Sequence, residues 1–115
     1  MSRFRVVDVL VFALIVAGAG CASALPRPTE SDLRWARVRW PEVTLDDLQH
    51  GRAIYVNKCA GCHNLHRPDD FEPERWTVVL AKMGKEAKLN PQEQRSVARY
   101  LSTASAGMLG RVDNR

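Results

Sequence analysis

This sequence is short of most features that would fix a function by bulk composition. Among 115 residues there are three cysteines, three histidines, three tryptophans, two tyrosines and three phenylalanines. Nothing alternates polar and apolar residues convincingly enough for strands, which argues against a sheet. There is no long basic run and no recognisable nucleic-acid fold signature, so a formal net charge of +4 does not read as DNA or RNA binding. At this length there is room for one small domain and little for a second.

The apolar run from Val9 to Ala19 follows Arg3 and Arg5 and precedes small residues through Ala24. A basic start, a short apolar stretch and a small-residue neighbourhood form the pattern of an export signal over residues 1–24. The competing reading is an uncleaved anchor. A span needs about 20 apolar residues, and Val6 to Leu25 reaches that length only by burying Asp8. Cys21 ends the run in Ala17-Gly18-Ala19-Gly20-Cys21-Ala22, which resembles a bacterial lipoprotein processing site, although Gly18 stands where leucine is usual. Ala22-Ser23-Ala24 offers an ordinary cleavage site that would discard Cys21. Either route accounts for an odd cysteine in an exported protein. Loss of Arg3, Arg5 and Asp8 takes the net charge only from +4 to +3. That mild positive balance suits docking to an acidic partner.

Residues 25–42 read as a linker punctuated by Pro26, Pro28 and Pro41. Within it Arg34-Trp35-Ala36-Arg37-Val38-Arg39-Trp40 is rich in arginine and tryptophan. Strict alternation there would make one side cationic and the other apolar. The segment either packs on the domain with its arginines in water or contacts a partner or a membrane surface.

Beyond Pro41 the pattern is helical three times. Thr44 caps a first helix, with Asp46 and Asp47 favourable in its first turn. Leu48, Gly51 and Tyr55 share a face that runs on to Cys59. A second helix is expected from about Pro73, with Trp76, Val79, Leu80 and Met83 at i, i+3, i+4 and i+7 and Gly84 as a stop. The third opens with Asn90-Pro91-Gln92-Glu93, where Glu93 can close a capping box on Asn90, and buries Val97, Tyr100 and Leu101. A loose tail is expected from about Ser102. Three short helices bury little, and a domain of this size profits from an additional staple.

The staple is written in Cys59-Ala60-Gly61-Cys62-His63. A redox disulfide places its first thiol at a helix start after a strand, whereas this pair follows a helix. A zinc site needs ligands on separated knuckles, yet Cys59, Cys62, His63 and His66 crowd into eight consecutive positions. C-x-x-C-H is the attachment signature of c-type haem. Each thiol forms a thioether to one vinyl group, and the adjacent imidazole meets the iron.

On these residues the chain resembles the small monohaem c-type cytochromes. The resemblance covers Leu45 to about Leu101. That family carries a glycine eight residues before the first haem cysteine and an aromatic four before it, and Gly51 and Tyr55 hold these positions. The resemblance implies an all-α, compact domain of three main helices around one covalent haem c, spanning residues 43–104, with 105–115 as a flexible tail. It implies that the first helix crosses the last one near Gly51, with Tyr55 and Tyr100 packed at the crossing. It assigns His63 as the proximal iron ligand and a methionine ahead of the last helix as the distal one. Met83 meets that order, although a methionine in such a stripe is also ordinary core. His50 and His66 are the rival donors. Pro68 is the candidate whose carbonyl accepts the proximal histidine's ring N–H. Trp76 is either core or a donor to a haem propionate.

Iron with both axial positions filled can only exchange an electron. The expectation is therefore an electron carrier rather than an enzyme, periplasmic and released or tethered through Cys21 or the N-terminal segment. Lys58, Lys82, Lys85 and Lys88 would rim the haem edge and steer acidic redox partners. If no residue fills the distal position, the readings become a gas sensor or a peroxidase-like enzyme. A dedicated haem subunit of a larger dehydrogenase or reductase is the other alternative.

Overall fold

The computed structural model describes residues 25–59 and 65–113. The expected export segment with Cys21, and Cys62 and His63 of the attachment motif, lie outside the described residues. Among the described residues four α-helices follow one another, α1 (Glu30–Arg39), α2 (Leu45–Ile54), α3 (Arg75–Glu86) and α4 (Pro91–Asp113). A π-helical turn, Tyr55–Cys59, continues α2, and a short 3-10 turn, Pro68–Asp70, precedes α3. Among the described residues there is no strand, in keeping with the all-α expectation.

Two helix starts follow from local chemistry as read. The Thr44 hydroxyl accepts the Asp47 N–H at 3.1 Å while the Asp47 carboxylate accepts the Thr44 N–H at 2.9 Å. Asn90 and Glu93 make the same reciprocal pair at 2.8 and 3.1 Å. Each box satisfies two backbone donors that a helix start leaves open.

Two segments differ from expectation. The region read as a linker contains α1, opened by a third capping box between Thr29 and Asp32. Its arginine–tryptophan run winds with helical period, so Leu33 and Ala36 are buried with Val43 and Leu48, and Trp35 and Trp40 pack around them. The second difference is at the C-terminus, where helix α4 continues through Asp113 instead of loosening into a tail. Ser102, Thr103, Ala104 and Ser105 are all buried. The hydroxyls of Ser102 and Ser105 donate to the carbonyls of Pro73, at 2.7 Å, and Phe71, at 2.5 Å. Small side chains let α4 press close against the segment before α3, and hydrogen bonds replace apolar bulk there.

The α2–α4 crossing agrees with the resemblance. A Cβ on Gly51 would lie 2.1 Å from the Ser96 carbonyl oxygen, so only glycine permits this approach. Tyr55 and Tyr100 are buried beside it. Tyr55 donates to the His66 carbonyl at 2.7 Å and Tyr100 to the Pro26 carbonyl at 2.8 Å. Burial keeps both phenols protonated donors, with the Tyr100 pKa pushed up to about 12.

Helix α3 starts two residues after Pro73 and passes Gly84 to end at Glu86. Its stop is a Schellman motif: the Leu89 N–H reaches the Gly84 carbonyl at 2.9 Å and the Lys88 N–H the Lys85 carbonyl at 3.2 Å. The residue that turns left-handed is Lys88, at φ 58°. Gly84 instead serves packing, since a Cβ there would meet the Gln94 side chain at 2.8 Å. A non-glycine residue in the left-handed region costs about 1 kcal/mol. Lys88→Gly is therefore expected to raise the unfolding free energy by about 0.5 kcal/mol after the glycine's own entropic cost. Urea denaturation checks this, and an unchanged or lower midpoint would contradict it.

Candidate haem-attachment site

The first thiol of the motif is placed by the end of α2. The π-helical turn Tyr55–Cys59 adds a residue to the helical turn, a device that often marks functional sites. It leaves Cys59 half-buried, one turn beyond the fully buried Tyr55. Lys58 on the same turn is tied to Glu93 at the start of α4, Nζ to Oε1 2.9 Å. That ion pair fastens the attachment turn to the helix it crosses.

Cys59 is one of a set of partly buried apolar side chains, here called the collar, that pack on one core. Val56, Leu65, Phe71, Val79 and Met83 pack, with Cys59, against a core that includes Tyr55, Trp76, Leu80, Val97 and Leu101. Phe71 meets Trp76 edge-on at 5.0 Å, and Tyr55 meets Trp76 edge-on at 6.3 Å. Sequence reasoning missed Val56, Leu65 and Phe71. Single apolar residues in a turn-rich stretch carry no periodic signal, and only the tertiary fold gathers them.

The strand of chain leaving the motif is pinned twice. Tyr55 holds the His66 carbonyl, and the Trp76 indole donates to the Pro68 carbonyl at 2.8 Å. Both Pro68 and Trp76 are fully buried. The resemblance offers Trp76 to a propionate, whereas here its single N–H is spent on Pro68. The Pro68 carbonyl has a second lone pair, which remains the acceptor to offer a proximal histidine.

Met83 sits on the same α3 stripe as Trp76 and Leu80, half-buried against the core that Cys59 also contacts. Its backbone is still helical, since its carbonyl accepts the Ala87 N–H at 2.9 Å. Any approach to iron is thus made by the flexible thioether side chain alone. The rival histidines are at the surface. His50 is exposed, and His66 is exposed with Nδ1 3.4 Å from Asp70 Oδ2 and its ring edge-on to Phe71. Among the described residues, no three His, Cys, Asp or Glu side chains gather to hold a bare metal ion.

A haem fits what is present. The thiol spacing suits two thioethers, and the collar to which the first thiol belongs is apolar and only partly buried. Cys59 and Cys62 would hold the group, His63 would ligate its iron, and Met83 brings a neutral sulfur to the same core. A sequence model of the dihaem cytochrome c family matches residues 55–113. No curated protein and no solved structure matches the chain. The family's description counts two haems, while the sequence holds one C-x-x-C-H motif and three cysteines in all.

Proposed function

The chain belongs to the dihaem cytochrome c family, and on that footing we propose that it is a single-haem electron carrier, exported to the periplasm, with His63 and Met83 as axial ligands. The observation that supports this most is the coincidence of two things at one place. The one attachment motif lies inside the family match, and its first thiol packs on the same apolar core as Met83. The second haem of the family's description has no thiol pair to hold it on this chain.

Bound haem supplies a one-electron iron couple whose potential follows axial ligands, hydrogen bonds and burial. The chain's own residues supply the rest. Cys59 and Cys62 keep the group in place through both oxidation states. The buried Trp76–Pro68 hydrogen bond and the Tyr55–His66 bond hold the segment after the motif in one conformation. Val56, Leu65, Phe71 and Val79, partly buried on the core that Cys59 packs on, would shield a bound ring from water. Lys82, Lys85 and Lys88 are exposed around the C-terminal turn of α3, next to Met83. They form the docking face for an acidic partner, while Lys58 is engaged by Glu93.

A second reading rests on Met83. Its helix is unbroken, and an iron that its side chain does not reach would keep an open position for gas binding or peroxidase-like chemistry. Haem content separates the one-haem proposal from the family's two. Protein matured with haem c is expected to show one haem per chain by pyridine haemochrome assay and a mass increase of one haem. Two haems per chain would refute the single-site reading.

A further inference from the structure

We infer that the outward face of α1, formed by Arg34, Arg37 and Val38, rests on an anionic phospholipid surface. The proposal does not depend on the haem. The inner face of α1 is already satisfied by the cluster of Leu33, Ala36, Val43 and Leu48. Neighbouring charges are spent inside the fold. Arg39 pairs with Glu74 and stacks over Trp35 at 4.3 Å, and Arg99 pairs with Glu42 and lies over Trp40 at 5.4 Å. Arg34 and Arg37 are exposed, and among the described residues no carboxylate forms an ion pair with either. Arg37 donates to the Val43 carbonyl at 3.1 Å, which compensates none of its charge.

On the same helix face, four residues after Arg34, stands Val38, 85% exposed. The other large exposed apolar side chain among the described residues, Val78, lies one turn beyond Glu74, the partner of Arg39. Arg75, also exposed, is next to Glu74. Although Glu30 shares this face, exposed arginines without an ion-pair partner beside bare valine side chains match the interface of a bilayer, where charge meets headgroups and methyls meet the acyl boundary.

The rest of the chain favours a membrane over an acidic protein as occupant. The apolar run Val9–Ala19 ends six residues before Leu25, which is buried in the core, and α1 begins five residues later. Six extended residues span about 20 Å at most. Where that run or a lipid on Cys21 is retained, the domain cannot leave the surface by more than this. Lys85 lies seven residues beyond Val78, about 10 Å further along α3, so the lysines past Met83 remain available to a soluble partner.

Arginine-specific modification by phenylglyoxal, mapped by mass spectrometry on the full haem-loaded chain, tests the contact with or without an anchor. Vesicles of phosphatidylglycerol and phosphatidylcholine are compared with pure phosphatidylcholine. Arg34 and Arg37 are expected to react roughly fivefold more slowly on the anionic vesicles. The protection should disappear near 1 M salt, where screening acts within about 3 Å, and Arg95, in the groove between α3 and α4, should be unaffected. Arg34→Glu with Arg37→Glu should abolish the preference for anionic vesicles while circular dichroism stays helical. Equal rates on both vesicles, or protection of Arg95 instead, would overturn the proposal. So would stronger protection by soluble polyglutamate than by vesicles, which would assign the face to an acidic protein.

Discussion

Serine at both Cys59 and Cys62 is expected to remove covalent haem completely: no haem-stained band on a denaturing gel and no haem in the intact mass. The consequence reaches beyond the cofactor. The described domain has narrow apolar stripes, and Val56, Leu65, Phe71, Val79 and Met83 are, like Cys59, only partly buried on the core. Burying such side chains contributes about 25 cal/mol per Å² of apolar surface, and a ring covering the collar adds that term to a fold of marginal size. The double variant should therefore accumulate poorly and melt well below wild type. Haem that survives denaturation in the variant would show that attachment lies elsewhere. Wild-type thermal stability in the variant would show that the collar gains nothing from its occupant.

The second large effect is at the helix crossing. Gly51→Ala places a methyl 2.1 Å from Ser96 O and 2.7 Å from its carbon, and 3.0 Å from the Tyr100 Cβ. Two of these atoms are backbone and cannot rotate away, so α2 and α4 must separate. Overpacking typically costs 1–3 kcal/mol, and backbone contact puts this site at about 3 kcal/mol. Against a total stability of about 5–15 kcal/mol, that is a loss of about 15 °C in Tm for a domain of this size. The same separation would pull Tyr55 off the His66 carbonyl and disturb the turn that carries Cys59. Gly84→Ala is the useful comparison, because its obstacle is the far end of the Gln94 side chain, which can move. Equal melting temperatures for Gly51→Ala and wild type would contradict the crossing as described.

What could be read from the sequence was local. The cap at Thr44 and the capping box at Asn90 are relations between near neighbours in sequence, and both stand as expected, with Asp47 closing a box at Thr44 as well. The box at Thr29 has the same logic, but the Arg34–Trp40 run beside it also fits an alternating pattern, which hides the period of α1. The C-terminal half of α4 was missed for a different reason. Ser102, Thr103, Ala104 and Ser105 pack by being small, and hydropathy does not record closeness of approach. Of the candidate site, the motif itself was legible because its five residues are contiguous. The Trp76–Pro68 and Tyr55–His66 hydrogen bonds join residues 8 and 11 apart in sequence across different elements. No local pattern announces such pairs. The crossing at Gly51 was reached through resemblance, and the 2.1 Å approach supplies its physical cause.

The central proposal, that this family member carries one six-coordinate haem and exchanges electrons, turns on Met83. Absorption spectra of oxidised and reduced protein, wild type against Met83→Ala, test it most directly. The account predicts a low-spin spectrum whose weak sulfur–iron band at the red end disappears in the variant, with carbon monoxide bound readily only after the substitution. An iron that is high-spin or binds carbon monoxide already in the wild type, and is unchanged by Met83→Ala, would contradict it and place the protein among open-site haem sensors or enzymes.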